Sequence, residues 1–310
     1  MKNPFCCMNR IIYSITILRV CKNIRRIYSM KIFVVGANGQ LGREIKRQFQ
    51  DKYELFLHGT DTLNITNSDA VDTAIAKVKP DVVINAAAYT NVEKAEEDCD
   101  NAFQVNAIGA ENLATSCKKH DSKLVHISTD YVFDGTKDKP YEEFDLHNPL
   151  SIYGRSKSLG EKLIEQVGGK YFILRTSWLY GDGNNFVRTM LRLSREKSEI
   201  SVVGDQYGTP TYTKDLCWAI EKAMCTTFYG VYHASNEGSC SWYEFAKEIM
   251  TAAKCKTIIK SLTTAEYPVK AKRPMNSVME NRMLKLRGLN TMRPWQEALK
   301  DYLEHECQQL

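Results

Sequence analysis

The chain has no Cys-x-x-Cys pair among its ten cysteines, and its six histidines are scattered without metal-ligand spacing. Both absences argue against a structural zinc or a disulfide framework, so a reducing, cytoplasmic setting is expected. No apolar run reaches the roughly 20 residues of a membrane span. The best candidate, Ile11 to Val20, is interrupted by Ser14, Thr16 and Arg19 and is followed by no small-residue cleavage site. A nucleic-acid footprint is missing too. The net charge is +5, but residues 1–29 hold Lys2, Arg10, Arg19, Lys22, Arg25 and Arg26 and no acid, which leaves the rest at −1. Folding is expected to begin at Met30, with residues 1–29 a disordered extension or an upstream start.

What remains is an ordinary globular composition without repeats or low-complexity segments: 310 residues, 43% hydrophobic and 25% charged. From Met30 short apolar runs alternate with helical periods, the signature of a doubly wound parallel α/β sheet. Strands are expected at Ile32–Val35, Glu54–Leu57, Val82–Asn85, Leu124–Ser128 and Tyr171–Arg175, with helices between them. The rhythm loosens after Trp178. Residues 30–180 read as a Rossmann-type dinucleotide-binding domain. Residues 181–310 read as a smaller substrate-binding lobe, with some elements returning to the large sheet. In such a sheet, ligands bind outside the carboxyl ends of the strands.

The motifs fall at those ends. Gly36-Ala-Asn38-Gly39-Gln40-Leu41-Gly42 follows the first strand and opens the first helix. Glycines permit the tight turn and let backbone N–H groups approach a pyrophosphate at the positive end of the helix. The second strand ends His58-Gly59-Thr60-Asp61, with Arg43 just after the loop. Asp61 comes late to reach a ribose hydroxyl, so NADPH is expected, with NADH tolerated. Asn64 and Ile65 are placed to flank the adenine. Asn85-Ala86-Ala87-Ala88-Tyr89-Thr90 ends a further strand in small side chains, which let a cofactor lie close to the backbone. Thr90 and Val92 then border nicotinamide and substrate.

Tyr153 and Lys157 stand four residues apart, on one face of a helix. A phenol acts as a general acid only if its pKa of about 10 is drawn toward neutral, and a nearby ammonium does that. Tyr243 and Lys247 repeat the spacing. Only the first pair follows a strand ending in Ser128-Thr129-Asp130, whose hydroxyl can share the oxygen that the phenol protonates. Tyr243 belongs to a helix whose Trp242, Phe245 and Ile249 read as core packing. His126, inside the preceding strand, reads as packed rather than catalytic.

Eight strings occur in order: G-A-N-G-Q-L-G, N-A-A-A-Y-T-x-V-x-x-A-E, S-T-D-Y-V-F-D-G, Y-G-x-S-K-x-x-G-E, R-T-S-W-L-Y-G, N-N-F-V-x-T-M-L-R-L, D-Q-x-G-x-P-T and R-P-x-N-S. Together they resemble the dTDP-4-dehydrorhamnose reductases, a family of extended short-chain dehydrogenases/reductases. The resemblance runs from Met30 to the C-terminus. It implies NAD(P)H-dependent reduction of dTDP-4-dehydro-L-rhamnose to dTDP-L-rhamnose, the last step of dTDP-rhamnose biosynthesis. By that analogy Tyr153 protonates the developing alkoxide, and Lys157 binds the nicotinamide ribose and lowers the phenol's pKa. Thr129 would hold the carbonyl oxygen, Asp130 and Trp178 would lie against the sugar, and Asn106 would support the lysine through water.

Arg273 is a candidate partner for the diphosphate, because a guanidinium matches phosphate oxygens bidentately. Asn184, Asn185 and Gln206 are expected along the cleft. The resemblance allows a homodimer. Some family members bind magnesium at a dimer contact; here Glu44 keeps one acidic position, but Lys214 stands where another acid is expected, which argues against a metal. Two other readings stay open: a sugar-nucleotide epimerase or dehydratase, and a regulatory subunit that keeps the fold without chemistry.

Overall fold

The computed structural model describes residues 30–267 and 269–306; the expected N-terminal extension lies outside them. Lys31–Val35 (β1), Glu54–His58 (β2), Val82–Asn85 (β3), Lys123–Thr129 (β4) and Tyr171–Thr176 (β5) form a sheet with a later strand, Gly230–His233 (β10). The order is β10-β5-β4-β3-β1-β2, and every pairing is parallel. β1 and β3 are almost wholly buried and apolar, as strands covered on both faces must be.

Helices Gln40–Phe49 (α1), Ser68–Val78 (α2), Gly109–Lys119 (α3) and Ile152–Val167 (α4) connect the early strands. α1 and a later helix, Thr213–Met224 (α6), cover one sheet face, packing Ile45, Phe49, Leu216 and Ile220 against Ile32 and Val34. α2, α3 and α4 cover the other, where Val71, Ile75, Leu113 and Ile164 meet Phe33 and Val35. The expected doubly wound α/β class is borne out. The order in which strands are added changes direction between β1 and β3, β2 lying on one side and β3, β4 and β5 on the other, and the crevice at the carboxyl ends there is where such sheets take ligands.

Local chemistry sets the ends of the helices. Asn67 caps α2 by accepting from the Ala70 amide, and Lys79 closes it at φ 49° before Pro80. Ser151 caps α4 by accepting from Gly154, and Gly168 ends it at φ 71°. The helical stretch from Cys99 to Lys119 contains a π turn at Gln104–Ile108 ahead of α3.

A second apolar core lies among Phe186–Glu196 (α5), Trp242–Ala252 (α7) and Trp295–Glu306 (α8), and includes Val187, Phe245, Ile249, Trp295 and Tyr302. Short strands accompany it: Leu179–Tyr180 (β6) with Thr211–Tyr212 (β9), and Tyr207–Gly208 (β8) with Cys240–Ser241 (β11). Glu199–Val203 (β7) pairs in parallel with Ile258–Leu262 (β12). Among the described residues, no helix is long and apolar enough to cross a membrane.

Candidate active site

A cavity of about 980 Å³ runs along the carboxyl ends of β1, β3 and β4 and out to α7. At one end lies the glycine loop. Gly36 has φ 77°, and a Cβ there would stand 2.5–2.6 Å from the backbone of Ala86 and Ala87. Only glycine lets the first turn nest against the end of β3. At Gly42 a Cβ would meet the Gly36 carbonyl at 2.3 Å, so α1 must start tight against the turn. Gly39 caps α1 without a side-chain acceptor, and the first turn carries no acid. The amides at this helix end stay available to an anion. The cradle therefore fits the pyrophosphate of a dinucleotide.

Of the residues expected to hold coenzyme and substrate, Asn38, Gly39, Gln40, Leu41, Asn64, Ile65, Ala86, Ala87, Ala88, Thr90 and Val92 line the cavity with Gly36. Gly42, Tyr89 and Asn106 do not line it. Asn106 accepts from the Tyr89 amide at 2.8 Å and donates to the Tyr89 carbonyl and to Ser156 Oγ. Its side chain thus clamps the Ala86–Val92 segment to α4. Arg43 borders the same end, donating to Asp182 and to the Asn38 carbonyl. Asp61 accepts from Asn38 Nδ2 at 3.3 Å.

Tyr153, Lys157, Thr129, Asp130 and Trp178 meet in the middle of the cavity. The fit of α4 brings them there. A Cβ on Gly154 would lie 2.2 Å from the Tyr131 carbonyl, and one on Gly160 would lie 2.2 Å from that of Asn106, so the helix packs backbone against backbone. Burial pushes the Tyr153 phenol up to about 12, with the Thr129 hydroxyl only partly opposing it. The expected lowering by Lys157 is absent from the protein alone. Lys157 Nζ donates to the Ile127 carbonyl at 2.6 Å and sits 3.2 Å from His126 Nε2. Burial brings its pKa down to about 8, partly offset by Glu161. Thr129 Oγ1 donates to Asp130 Oδ1 at 3.0 Å, while Asp130 Oδ2 is buried without a partner. Burial raises the Asp130 carboxyl to about 6.

Three residues expected in the substrate site lie off its wall. Asn185 caps α5 and donates to the carbonyls of Gly181 and Gly183; its neighbour Asn184 lines the cavity instead. Gln206 is buried against Thr264 Oγ1 at 3.0 Å. Arg273 donates to Glu93 at 2.7 Å, so its guanidinium is engaged by a carboxylate. Trp242 does more than the packing expected of it. It packs against the same core as Phe245 and Ile249 and also forms cavity wall, stacked on Trp178. Lys247 lies over the Tyr243 ring at 5.4 Å, a cation–π contact away from the cavity. At the position considered for a metal, Glu44 accepts from Arg47 and Gln48, and Lys214 pairs with Asp301.

A parallel sheet with a glycine cradle at its first turn, and a tyrosine and lysine one helical turn apart beside a hydroxyl-bearing strand end, defines a short-chain dehydrogenase/reductase. Residues 30–307 match the family model described as the RmlD substrate binding domain. The chain is 45% identical over 276 residues to the spore coat polysaccharide biosynthesis protein SpsK of Bacillus subtilis, covering 88% of this chain and 97% of that protein. It is 42% identical over 288 residues to the dTDP-4-dehydrorhamnose reductase of Aggregatibacter actinomycetemcomitans, covering 87% and 97%. The crystal structure of the Bacillus anthracis dTDP-4-dehydrorhamnose reductase in complex with NADP superposes with a TM-score of 0.87 at 44% identity, covering 89% of this chain and 99% of that one. The chain belongs to the dTDP-4-dehydrorhamnose reductase family.

Proposed function

We propose that the protein is an NAD(P)H-dependent oxidoreductase that reduces the 4-keto group of dTDP-4-dehydro-L-rhamnose to give dTDP-L-rhamnose. The observation that carries this reading is the meeting of Tyr153, Thr129 and Trp178 in one cavity with the glycine cradle. The bound coenzyme supplies hydride to the carbonyl carbon. The chain supplies the rest. The Tyr153 hydroxyl gives its proton to the developing alkoxide, and the Thr129 hydroxyl donates to the same oxygen. Lys157 binds the coenzyme ribose from the cavity floor. Trp178 and Trp242 give the sugar an apolar wall, suited to a 6-deoxy sugar.

Asp130 is the one carboxylate among the described residues that line the cavity. That favours reduction over a dehydratase, which wants an acidic pair. The proposal includes NADPH as preferred coenzyme, residues 30–180 as the main coenzyme-binding part with 181–310 contributing to the substrate side, a cytoplasmic setting, and assembly as a homodimer without a metal. The test is oxidation of NADPH, followed optically, by purified protein with the 4-keto-6-deoxy sugar nucleotide. Turnover that requires this substrate is expected. No turnover with either NADPH or NADH would overturn the assignment.

A further inference from the structure

His126 lies beneath the cavity floor, 1% exposed, and the chemistry above makes no use of it. Its contacts nevertheless determine a charge. The Ala87 amide donates to Asn85 Oδ1 at 3.1 Å, which fixes the orientation of that side-chain amide. Asn85 Nδ2 therefore faces His126 Nδ1, 2.9 Å away, and Nδ1 must accept. A neutral imidazole that accepts at Nδ1 carries its proton on Nε2. Nε2 is 3.2 Å from Lys157 Nζ.

An ammonium has three donors and no lone pair, so it cannot accept from Nε2–H. A neutral amine can, while donating to the Ile127 carbonyl at 2.6 Å. The run from Ala87 N–H through Asn85, His126 and Lys157 to Ile127 then closes with every donor matched to an acceptor. Reversing any one member sets two donors face to face. An imidazolium fails in the same way at Nδ1, and burial holds His126 well below its ordinary value.

The surrounding charges leave Lys157 without a free counter-ion. Glu161, one turn further along α4, is bound by Arg175 from β5 and by Ser128 from β4, with His147 3.6 Å away. Asp130, just past the end of β4, accepts from Thr129, and the Tyr153 phenol lines the same cavity.

We propose that His126 is a positioning residue that, in mildly alkaline solution, holds Lys157 as a retracted neutral amine in the coenzyme-free protein, and that Lys157 leaves it as an ammonium when a dinucleotide binds. One proton passes from solvent to the lysine nitrogen; no other bond changes. The inference rests on the coenzyme site proposed above, whose phosphate and ribose oxygens would favour the ammonium.

Calorimetric titration of the full chain with NADPH at about pH 8.5, in two buffers of different ionisation enthalpy, counts the protons taken up. Uptake of more than about half a proton per site is expected for the unaltered protein, fading by about pH 6.5, where Lys157 is already charged. Lys157→Met should bind without uptake. His126→Gln, whose amide oxygen can accept from an ammonium, should reduce the uptake at about pH 8.5 while binding persists. Binding without uptake, or equal uptake in Lys157→Met, would overturn the inference and leave the coenzyme site standing. That first comparison holds whether or not the histidine variant folds. Absence of any binding heat with NADPH and with NADH would overturn the coenzyme reading itself.

Discussion

Trp178 lies flat against Trp242, with ring centroids 3.6 Å apart and planes within 10°. Trp178 takes a left-handed backbone, φ 47°, which a bulky residue adopts only when its surroundings hold it there. A Cβ at Gly208 would fall 2.5 Å from its ring, so β8 also presses on the indole. Trp242 is itself braced by Phe186 at 4.6 Å. An aromatic pair of this kind contributes about 0.5–1.5 kcal/mol beyond its buried area. Trp242→Ala should therefore raise KM for the sugar nucleotide by about threefold to tenfold, with a smaller change in kcat. The excitonic signal of the stacked indoles in the circular dichroism spectrum should vanish with it. An unchanged KM in a variant that has lost this signal would show that the wall does not hold the sugar.

The proton donor is tested by removing one oxygen. Tyr153→Phe should lower kcat by at least about a hundredfold, the scale of general acid catalysis, with NADPH binding retained in calorimetry. Tyr243→Phe should leave kcat near its original value, because the Tyr243 ring packs under Lys247 away from the cavity. Equal losses in the two variants would mean that the wrong tyrosine had been chosen.

The distinction between those tyrosines was legible in the chain because it rests on order along the sequence. Buried parallel strands such as Val82–Asn85 are continuous apolar runs, and the residues that follow them reach the cavity wherever the sheet ends. Features that depend on partners distant in sequence were not legible. β12, Ile258–Leu262, is mostly exposed and exists by pairing with β7, so it shows no buried strand pattern. Arg273 has the chemistry of a phosphate ligand, and Glu93, 180 residues away, accepts from one of its amino groups. Trp242 shares helical spacing with Phe245 and Ile249, and periodicity alone cannot tell the edge of a packed face from a cavity wall. The side to which Lys157 turns depends on His126 and Ile127, which lie on β4 rather than on its own helix.

Gly36 allows a test of the cradle. Alanine there would need φ 77° and would place its Cβ about 2.5 Å from the Ala87 amide nitrogen. The turn must move off the end of β3. Gly36→Ala should weaken NADPH at least about tenfold, the equivalent of about 1.4 kcal/mol, read as Kd by calorimetry. Unchanged affinity would place the coenzyme elsewhere.

Asp130 carries a pH dependence whose sign follows from its burial. Its carboxyl is raised from 3.8 to about 6, so the folded protein holds a proton that the unfolded chain has released. The contribution to stability is fully present below about pH 4 and is lost as the pH rises through about 6. Asp130→Asn mimics the protonated form. The stability difference between variant and parent should therefore move in favour of the variant as the pH rises from about 4 to about 7. Denaturant titrations across that range measure it; a difference independent of pH would mean that Asp130 is not buried as a strained carboxylate.

Glu161 and Arg175 form the buried ion pair behind the site, with side chains 1% and 4% exposed and a shortest contact of 2.8 Å. Burial works against the Glu161 carboxylate, but the Arg175 guanidinium, together with His147 and the Ser128 hydroxyl, outweighs it and holds the carboxyl below its ordinary value. Stability drawn from this pair is present above the unfolded pKa of 4.5 and is lost as the pH falls through the lower folded value. Glu161→Gln leaves a buried guanidinium without its counter-charge, and breaking such a pair from one side costs about 3–5 kcal/mol. Replacing both partners with apolar residues removes the uncompensated charge, so Glu161→Leu combined with Arg175→Met should be more stable than Glu161→Gln alone. Urea unfolding of the two variants and the parent decides the point. If the double variant is the less stable, Arg175 contributes mainly through other side chains its guanidinium reaches, His147, His233 and the ring of Phe133.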